Sequence, residues 1–379
     1  MKVLYDYQAF TMQYFGGVSR CFCELISRFP EDVSYKISIK QCNNEHLMKS
    51  NLVGKLEPVT FDKIKYLQHY QFRGHGKFWD NILLRWPWFQ PADKINQKYS
   101  IESLKQYNWD VFHPTFFDPY FMRYVGNRPY IITVHDMISE LYADMKEQAK
   151  HKKEVVRKAS AIIAVSENTK KDLCDILKIP EKKVHVIYHG GPKQETISEV
   201  PLIDNKYILY VGNRNGYKMF PKLLSEFSVF YQKHSNIKLV CTGKPFSHNE
   251  IKQIQEYKIN DGVIHLRATD IELRNLYAHA LAFIYPSEYE GFGMPILEAY
   301  AYGCPILLNK KSCFPEIAAD AALYFNTNED SSISNALETI DSYSTDQRNR
   351  LVEKGYNRLA NFSWEKSANQ LINIYKSVI

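Results

Sequence analysis

No apolar run in the 379 residues approaches the roughly 20 that a membrane-spanning helix needs, so no helical span is expected. The opening Met1-Lys2-Val3-Leu4-Tyr5-Asp6 runs straight into a strand-like segment and lacks the zones of a secretory leader, which favours the cytoplasm. Cysteine is sparse and scattered: Cys21, Cys23, Cys42, Cys174, Cys241, Cys304 and Cys313. Their number is odd and no two are spaced C-x2-C, which argues against a disulfide framework or a zinc site and leaves reduced, buried thiols. No Asp-x-Asp is present to hold a metal. There is no basic helix or nucleic-acid motif, so no nucleic-acid partner is expected. Internal repeats and low-complexity runs are also missing.

What is present is a globular composition, 45% hydrophobic and 24% charged, in a chain too long for one ordinary core. Two domains are expected, 1–192 and 193–363, with a polar linker at 193–205 and an amphipathic helix at 364–379. Short apolar runs alternate with helical stretches along both halves, so the fold class is α/β with parallel sheets. The net charge of +6 is uneven. Residues 1–190 carry 28 Lys and Arg against 21 Asp and Glu, whereas residues 191–379 carry 20 against 21. A basic first half suits an anionic partner, such as an anionic membrane surface or a lipid diphosphate. The segment 61–89 interleaves Lys63, Lys65, Arg73, Lys77 and Arg85 with Tyr66, Tyr70, Phe78, Trp79, Trp86 and Trp88. It reads either as an insertion packed on its own domain or as an interfacial segment on anionic lipid.

The most informative stretch is Pro286 to Pro305, PSEYEGFGMPILEAYAYGCP. An apolar strand, Leu281 to Tyr285, precedes it. Gly291 and Gly293 break the regular structure, Pro295 suits a helix start, and Ile296 to Tyr302 reads as a helix stopped by Gly303 and Pro305. A strand, a glycine loop and a helix N-terminus together offer backbone N–H groups to an anion or a row of hydroxyls. Glu290 and Glu298 flank the loop as E-x7-E. Glu298, expected in the first turn of the helix, is placed to accept hydroxyl hydrogens, and Glu290 to face a reacting group.

Other candidates lie on loops after strands, where ligands of open parallel sheets gather. Gly17 precedes a helix and lets a phosphate approach the backbone. Gly212-Asn213-Arg214-Asn215-Gly216-Tyr217-Lys218 places two cations four residues apart, Arg214 as a bidentate fork and Lys218 as a point charge, a pairing that suits a diphosphate. His135 follows the strand Tyr130 to Val134, where its imidazole can hydrogen-bond a ligand hydroxyl. Asp136 either orients His135 or caps the next helix. Asp118, in Phe-Phe-Asp-Pro, is a weaker candidate on the loop after an earlier strand.

These motifs carry a resemblance. EGFGMPILEAYAYGCPIL is similar to the signature of the retaining, GT-B-fold glycosyltransferases of family four, and the other motifs recur in family order along nearly the whole chain. Val-His-Asp-Met-Ile and Tyr-Val-Gly-Asn-Arg resemble bacterial mannosyl- or rhamnosyltransferases of O-antigen or capsule assembly. One departure is Met219, where an Asn often follows the Lys. The resemblance implies two Rossmann-like domains facing across a cleft. It implies acceptor binding on the first domain, nucleotide-sugar binding on the second, and a C-terminal helix returning to the first. Arg214, Lys218 and Gly17 would meet the donor diphosphate, and Glu298 the ribose. Glu290 and the backbone of Phe292, Gly293 and Met294 would meet the hexose, and His135 would touch the donor sugar. GDP-mannose is the favoured donor, with a lipid-linked or polysaccharide glycan as acceptor. No cofactor or metal is implied. The expected place is the cytoplasm, peripheral on the inner face of the cytoplasmic membrane if 61–89 binds lipid. Rival readings are an epimerase or sugar phosphate synthase on the same fold, and a non-catalytic glycan- or membrane-binding scaffold.

Overall fold

The computed structural model describes residues 1–42, 44–55, 60–61, 92–106, 108–142, 145–214 and 216–379. Nearly all of the basic and aromatic segment 61–89 lies outside the described residues. Two compact units are formed. The first comprises Met1–Val165, Thr169–Tyr188 and Trp364–Ile379, and the second Ser166–Asn168 and His189–Ser363.

In the first unit, β1 (Lys2–Tyr5) lies between β2 (Ser34–Ile37) and, after the two-residue pair β3 (Gln41–Cys42) and β4 (Thr60–Phe61), β5 (Val111–His113). A single parallel bridge, Phe112 to Tyr130, joins β5 to the neighbourhood of β6 (Ile131–Val134). Beyond β6 lie β7 (Ala161–Ala164) and β8 (Val184–Val186). All of these pairings are parallel. The helix Gly17–Ile26 follows β1, and its Phe22, Leu25 and Ile26 are buried.

The C-terminal helix Trp364–Val378 belongs to this unit. Its apolar stripe is Trp364, Ala368, Leu371, Ile372 and Tyr375, repeating at three and four residues, which is why one face is buried. Tyr375 reaches the sheet. Its hydroxyl lies 2.6 Å from the Tyr5 hydroxyl and 2.6 Å from His113 Nδ1, and His113 Nε2 lies 3.0 Å from the Thr133 hydroxyl.

In the second unit the strands are β9 (Lys206–Tyr210), β10 (Ile237–Thr242), β11 (Val263–Leu266), β12 (Ala282–Tyr285), β13 (Ile306–Asn309) and β14 (Leu323–Phe325). Their order is β11-β10-β9-β12-β13-β14, all parallel. Counted from β9 this is 3-2-1-4-5-6, the Rossmann order, in which the winding reverses between β9 and β12. The central strands are near-continuous apolar runs because parallel sheets are covered on both faces. Tyr207, Ile208, Leu209, Phe283, Ile284 and Leu307 are fully buried accordingly. The helix Phe220–Tyr231 adds Leu223, Leu224, Phe227 and Phe230 to that core. Truncating any one of them to Ala is expected to cost about 2–5 kcal/mol.

Candidate functional site

The reversal point between β9 and β12 is where two of the sequence candidates meet. After β9 the chain passes Gly212, whose φ of +112° only glycine takes readily, and forms the short turn Gly216–Lys218. After β12 it forms the loop 286–293 and enters the helix Met294–Ala301. The Glu288 N–H donates to the Tyr217 carbonyl at 2.8 Å and ties the two loops together. Lys218 Nζ forms an ion pair with Glu290 and lies 3.3 Å from the Tyr285 hydroxyl. Both charged side chains are mostly buried, at 13% and 12% exposure, so water screens the pair weakly. Burial, and then the Glu290 carboxylate, push the Tyr285 phenol well above its ordinary value, so it stays protonated. The result is a cation, an anion and a hydroxyl on adjoining loops at the carboxyl end of the sheet.

Glu298 lies deeper in its helix than the sequence suggests. Gly293 takes a φ of +91° and caps a helix that starts at Met294, so the first turn holds no acid and Glu298 is the fifth residue. The shift has a physical cause. A Cβ on Gly293 would sit 3.0 Å from Ile296 and 3.3 Å from Phe314, so glycine alone makes this cap, and Met294 and Pro295 become the first helical positions. The macrodipole fades beyond the first turn, so it favours the Glu298 charge less than the sequence reading supposes. Phe292 is buried, with its ring against Phe362 and His189. Its carbonyl accepts from the Cys313 thiol at 3.2 Å.

Arg214 is turned to the neighbouring loop. Its Nε donates to Glu250 at 2.7 Å, and its Nη2 donates to the carbonyls of Lys244 at 2.5 Å and Pro245 at 2.9 Å. The guanidinium also lies over the rings of Phe220 and Phe246. Glycines permit the close approach of these loops: a Cβ on Gly243, at a φ of +101°, would meet the Gly212 carbonyl oxygen at 2.9 Å. Burial pushes the Glu250 carboxyl up, but the Ser247 N–H and the Arg214 guanidinium outweigh it and hold the carboxyl below its ordinary value. A bidentate grip on a diphosphate therefore requires Arg214 to exchange carbonyls for phosphate oxygens.

The first unit holds the remaining candidates. Gly17 opens the helix Gly17–Ile26, and a Cβ there would meet nothing within 4 Å, so the backbone is open to approach. His135 directly follows β6, and its imidazole is pushed down to about 4, by burial first; Asp136 opposes the shift and Lys152 adds to it. It is therefore neutral at physiological pH, suited to hydrogen bonding rather than to carrying a charge. The Asp136 carboxylate accepts from the Ile138 N–H at 3.0 Å, just before the helix Ile138–Leu141, whose N-cap is Met137. The buried Lys152 donates to the Asp136 carbonyl at 3.0 Å and to Glu140 at 2.8 Å. Asp118 is exposed at its turn and accepts from the Tyr120 N–H at 3.0 Å.

Sequence reasoning passed over Tyr285, Glu250, Lys152 and Ser312, whose hydroxyl bonds both backbone groups of Glu290. Glu250 had a signal, since Ser247 and Glu250 form a capping box that the spacing S-x-x-E announces. The others look like an ordinary strand end, helix face and loop.

The fold and these loops define a GT-B class α/β protein built from Rossmann-like units. Residues 192–358 match the family model for glycosyl transferases group 1, and residues 70–191 match that for Glycosyltransferase Family 4. The chain belongs to the family-four glycosyltransferases. It is 27% identical over 215 residues to the O-antigen chain mannosyltransferase RfbU of Salmonella typhimurium, covering 55% of this chain and 60% of the relative. It is 32% identical over 175 residues to O-antigen chain mannosyltransferase B of Escherichia coli, covering 45% of each. The matched region thus spans about half the length of these curated relatives. Among solved structures, Anabaena HepE in complex with UDP-glucose superposes with a TM-score of 0.72 at 15% identity, over all of both chains. Among the described residues, no helix is long and apolar enough to cross a membrane.

Proposed function

We propose that this chain is a retaining hexosyltransferase that moves mannose from GDP-mannose to a lipid-linked or polysaccharide glycan during cell-surface polysaccharide synthesis. One observation carries the reading: the Lys218–Glu290 pair beside the Tyr285 hydroxyl, on two loops at the winding reversal of the second unit's sheet. The mannosyltransferase relatives support the choice of sugar.

In this reading Lys218 neutralises charge on the leaving nucleoside diphosphate, and Arg214 joins it by releasing the Lys244 and Pro245 carbonyls. Glu290, freed from Lys218 by the diphosphate, meets the hexose and stabilises positive charge as the donor bond breaks. The first N–H groups of a helix have no intrahelical partner, so the backbone at Phe292, Gly293 and Met294 is suited to hexose hydroxyls. Glu298 takes the ribose hydroxyls. On the first unit, Gly17 is assigned to phosphate, the neutral His135 to a sugar hydroxyl, and Asp118 and Asp136 to the acceptor. The two lysine and arginine cations make a metal unnecessary for leaving-group stabilisation.

The test is a binding and slow-hydrolysis screen over a panel of nucleotide sugars, with and without magnesium. Selective turnover of GDP-mannose, unchanged by chelator, is expected. Turnover of a different donor would overturn the choice of sugar, and failure to bind any donor would overturn the class of activity.

A further inference from the structure

The parallel register of β12 and β13 pairs Phe283 with Ile306, Ile284 with Leu307 and Tyr285 with Leu308. Backbone pairing stops there, but side chains continue it. The buried Asn309 donates its amide to the Pro286 carbonyl at 3.3 Å and the Ser287 carbonyl at 3.1 Å. Lys311 Nζ reaches Glu288 at 3.1 Å. The Ser312 hydroxyl donates to the Glu290 carbonyl at 2.7 Å and accepts from the Glu290 N–H at 3.2 Å. The Cys313 thiol donates to the Phe292 carbonyl. The backbone of the same segment faces β14, with the Lys310 N–H donating to the Phe325 carbonyl at 2.8 Å. Residues 309–313 thus climb the loop 286–292 nearly step for step.

Ser312 adds a second observation. Its φ is +53°, in the left-handed region that costs an L residue about 1–2 kcal/mol. Glycine would sit there without strain, so the serine has to be explained by its hydroxyl, which brackets both backbone groups of Glu290. Such a conformation persists only where the surrounding structure over-determines it, and here the two bonds to the Glu290 backbone do so.

We infer that the segment Asn309–Cys313 is a positioning element for the 286–292 loop, and that Ser312 is the positioning residue that fixes the Glu290 backbone and so the place from which its carboxylate meets the donor sugar. The inference rests on the reading of Glu290 as a group that touches the donor sugar.

The experiment compares the full-length Ser312→Gly, Ser312→Ala, Glu290→Gln and Ser312→Gly/Glu290→Gln chains with the parent in steady-state GDP-mannose turnover and thermal melting. Ser312→Gly removes the hydroxyl and the strain together. It is expected to melt no lower than the parent, yet to lose on the order of 10-fold in kcat with KM nearly unchanged, because misaiming a group costs rate rather than binding. The double variant is expected to be no slower than Glu290→Gln alone, since Ser312 acts through Glu290. Parent-like turnover by Ser312→Gly, or multiplied losses in the double variant, would overturn the positioning role while leaving Glu290 in place. Parent-like turnover by Glu290→Gln would instead overturn the reading beneath it. If Ser312→Gly fails to fold, Ser312→Ala carries the same comparison, with its melting point separating loss of fold from loss of rate.

Discussion

Met219 follows Lys218 directly and holds the backbone at φ 53° and ψ 29°, the left-handed region. It caps the helix Phe220–Tyr231 and makes no side-chain capping bond. The sequence already marks this position as a departure from a pattern that has Asn, and the backbone supplies the reason. Asn enters the left-handed region with little penalty and its side-chain oxygen can accept an orphan helix N–H, whereas an unbranched apolar side chain does neither. Met219→Asn is therefore predicted to stabilise the second unit by about 0.5–1 kcal/mol. A thermal melt checks this, and a lowered midpoint would mean that Met219 contributes packing worth more than the strain. Because the Lys218 side chain keeps its partners, donor binding is expected to stay within about twofold.

At the scale of elements, the C-terminal helix depends on one polar junction. The Tyr375 hydroxyl lies between Tyr5 of β1 and His113 of β5, all three fully buried. Tyr375→Phe keeps the ring and removes that bridge, stranding groups that water cannot reach. The predicted cost is about 1–3 kcal/mol, read as a lowered urea midpoint for the first unit with the second unit's transition unmoved. An unchanged midpoint would show that the helix is held by its apolar stripe alone. That stripe is legible in the sequence, because helical periodicity is a local property. So are the strand runs, the glycine and proline breaks around E-x7-E, and the two cations after β9. The junction is not legible, since Tyr5 and Tyr375 lie 370 residues apart and nothing local pairs them. The same limit hid the segment 309–313, whose polar side chains read as a loop until β13 is laid beside β12. It also hid the partners of Arg214, which is a recognisable cation in the sequence but is bonded to a loop 30 residues away. The helix bearing Glu298 starts one residue before Pro295, where the sequence suggests it, because a glycine cap depends on the crowding of Ile296 and Phe314 around it.

For the whole molecule, the two units differ in how they meet acid. The histidines whose pKa values are clearly depressed, His113, His135 and His185, all lie in the first unit. Burial is the leading cause in each; His113 falls to about 3 and His135 to about 4. A histidine whose folded value lies below its unfolded one binds fewer protons folded than unfolded between the two values. Its stabilisation is complete above about 6.5 and is lost as pH falls from there toward the folded value. At pH 5.5 each strongly depressed histidine has surrendered about 1.4 kcal/mol. The second unit carries depressed carboxyls instead. Glu250 and Glu338 are pushed up by burial but held down overall, by the Ser247 N–H and Arg214 and by His234 and Lys233 respectively. Their stabilisation is present above the ordinary carboxyl range and is lost only as pH falls through the lowered values. Asp6, raised by burial in the first unit, takes up its proton earlier folded than unfolded and so opposes the loss toward the acid end. Acid is therefore predicted to loosen the first unit before the second. Hydrogen exchange read by mass spectrometry at pH 7.0 and 5.5, corrected for intrinsic rates, checks the order. Protection is expected to fall first in β1, β5 and β6 and to hold in β9, β10 and β12. His113→Asn, which has no proton to gain, is expected to be less stable at pH 7.0 and to lose less between the two pH values. Earlier loss in the second unit, or an equal fall for His113→Asn and the parent, would show that the buried histidines do not govern the acid response.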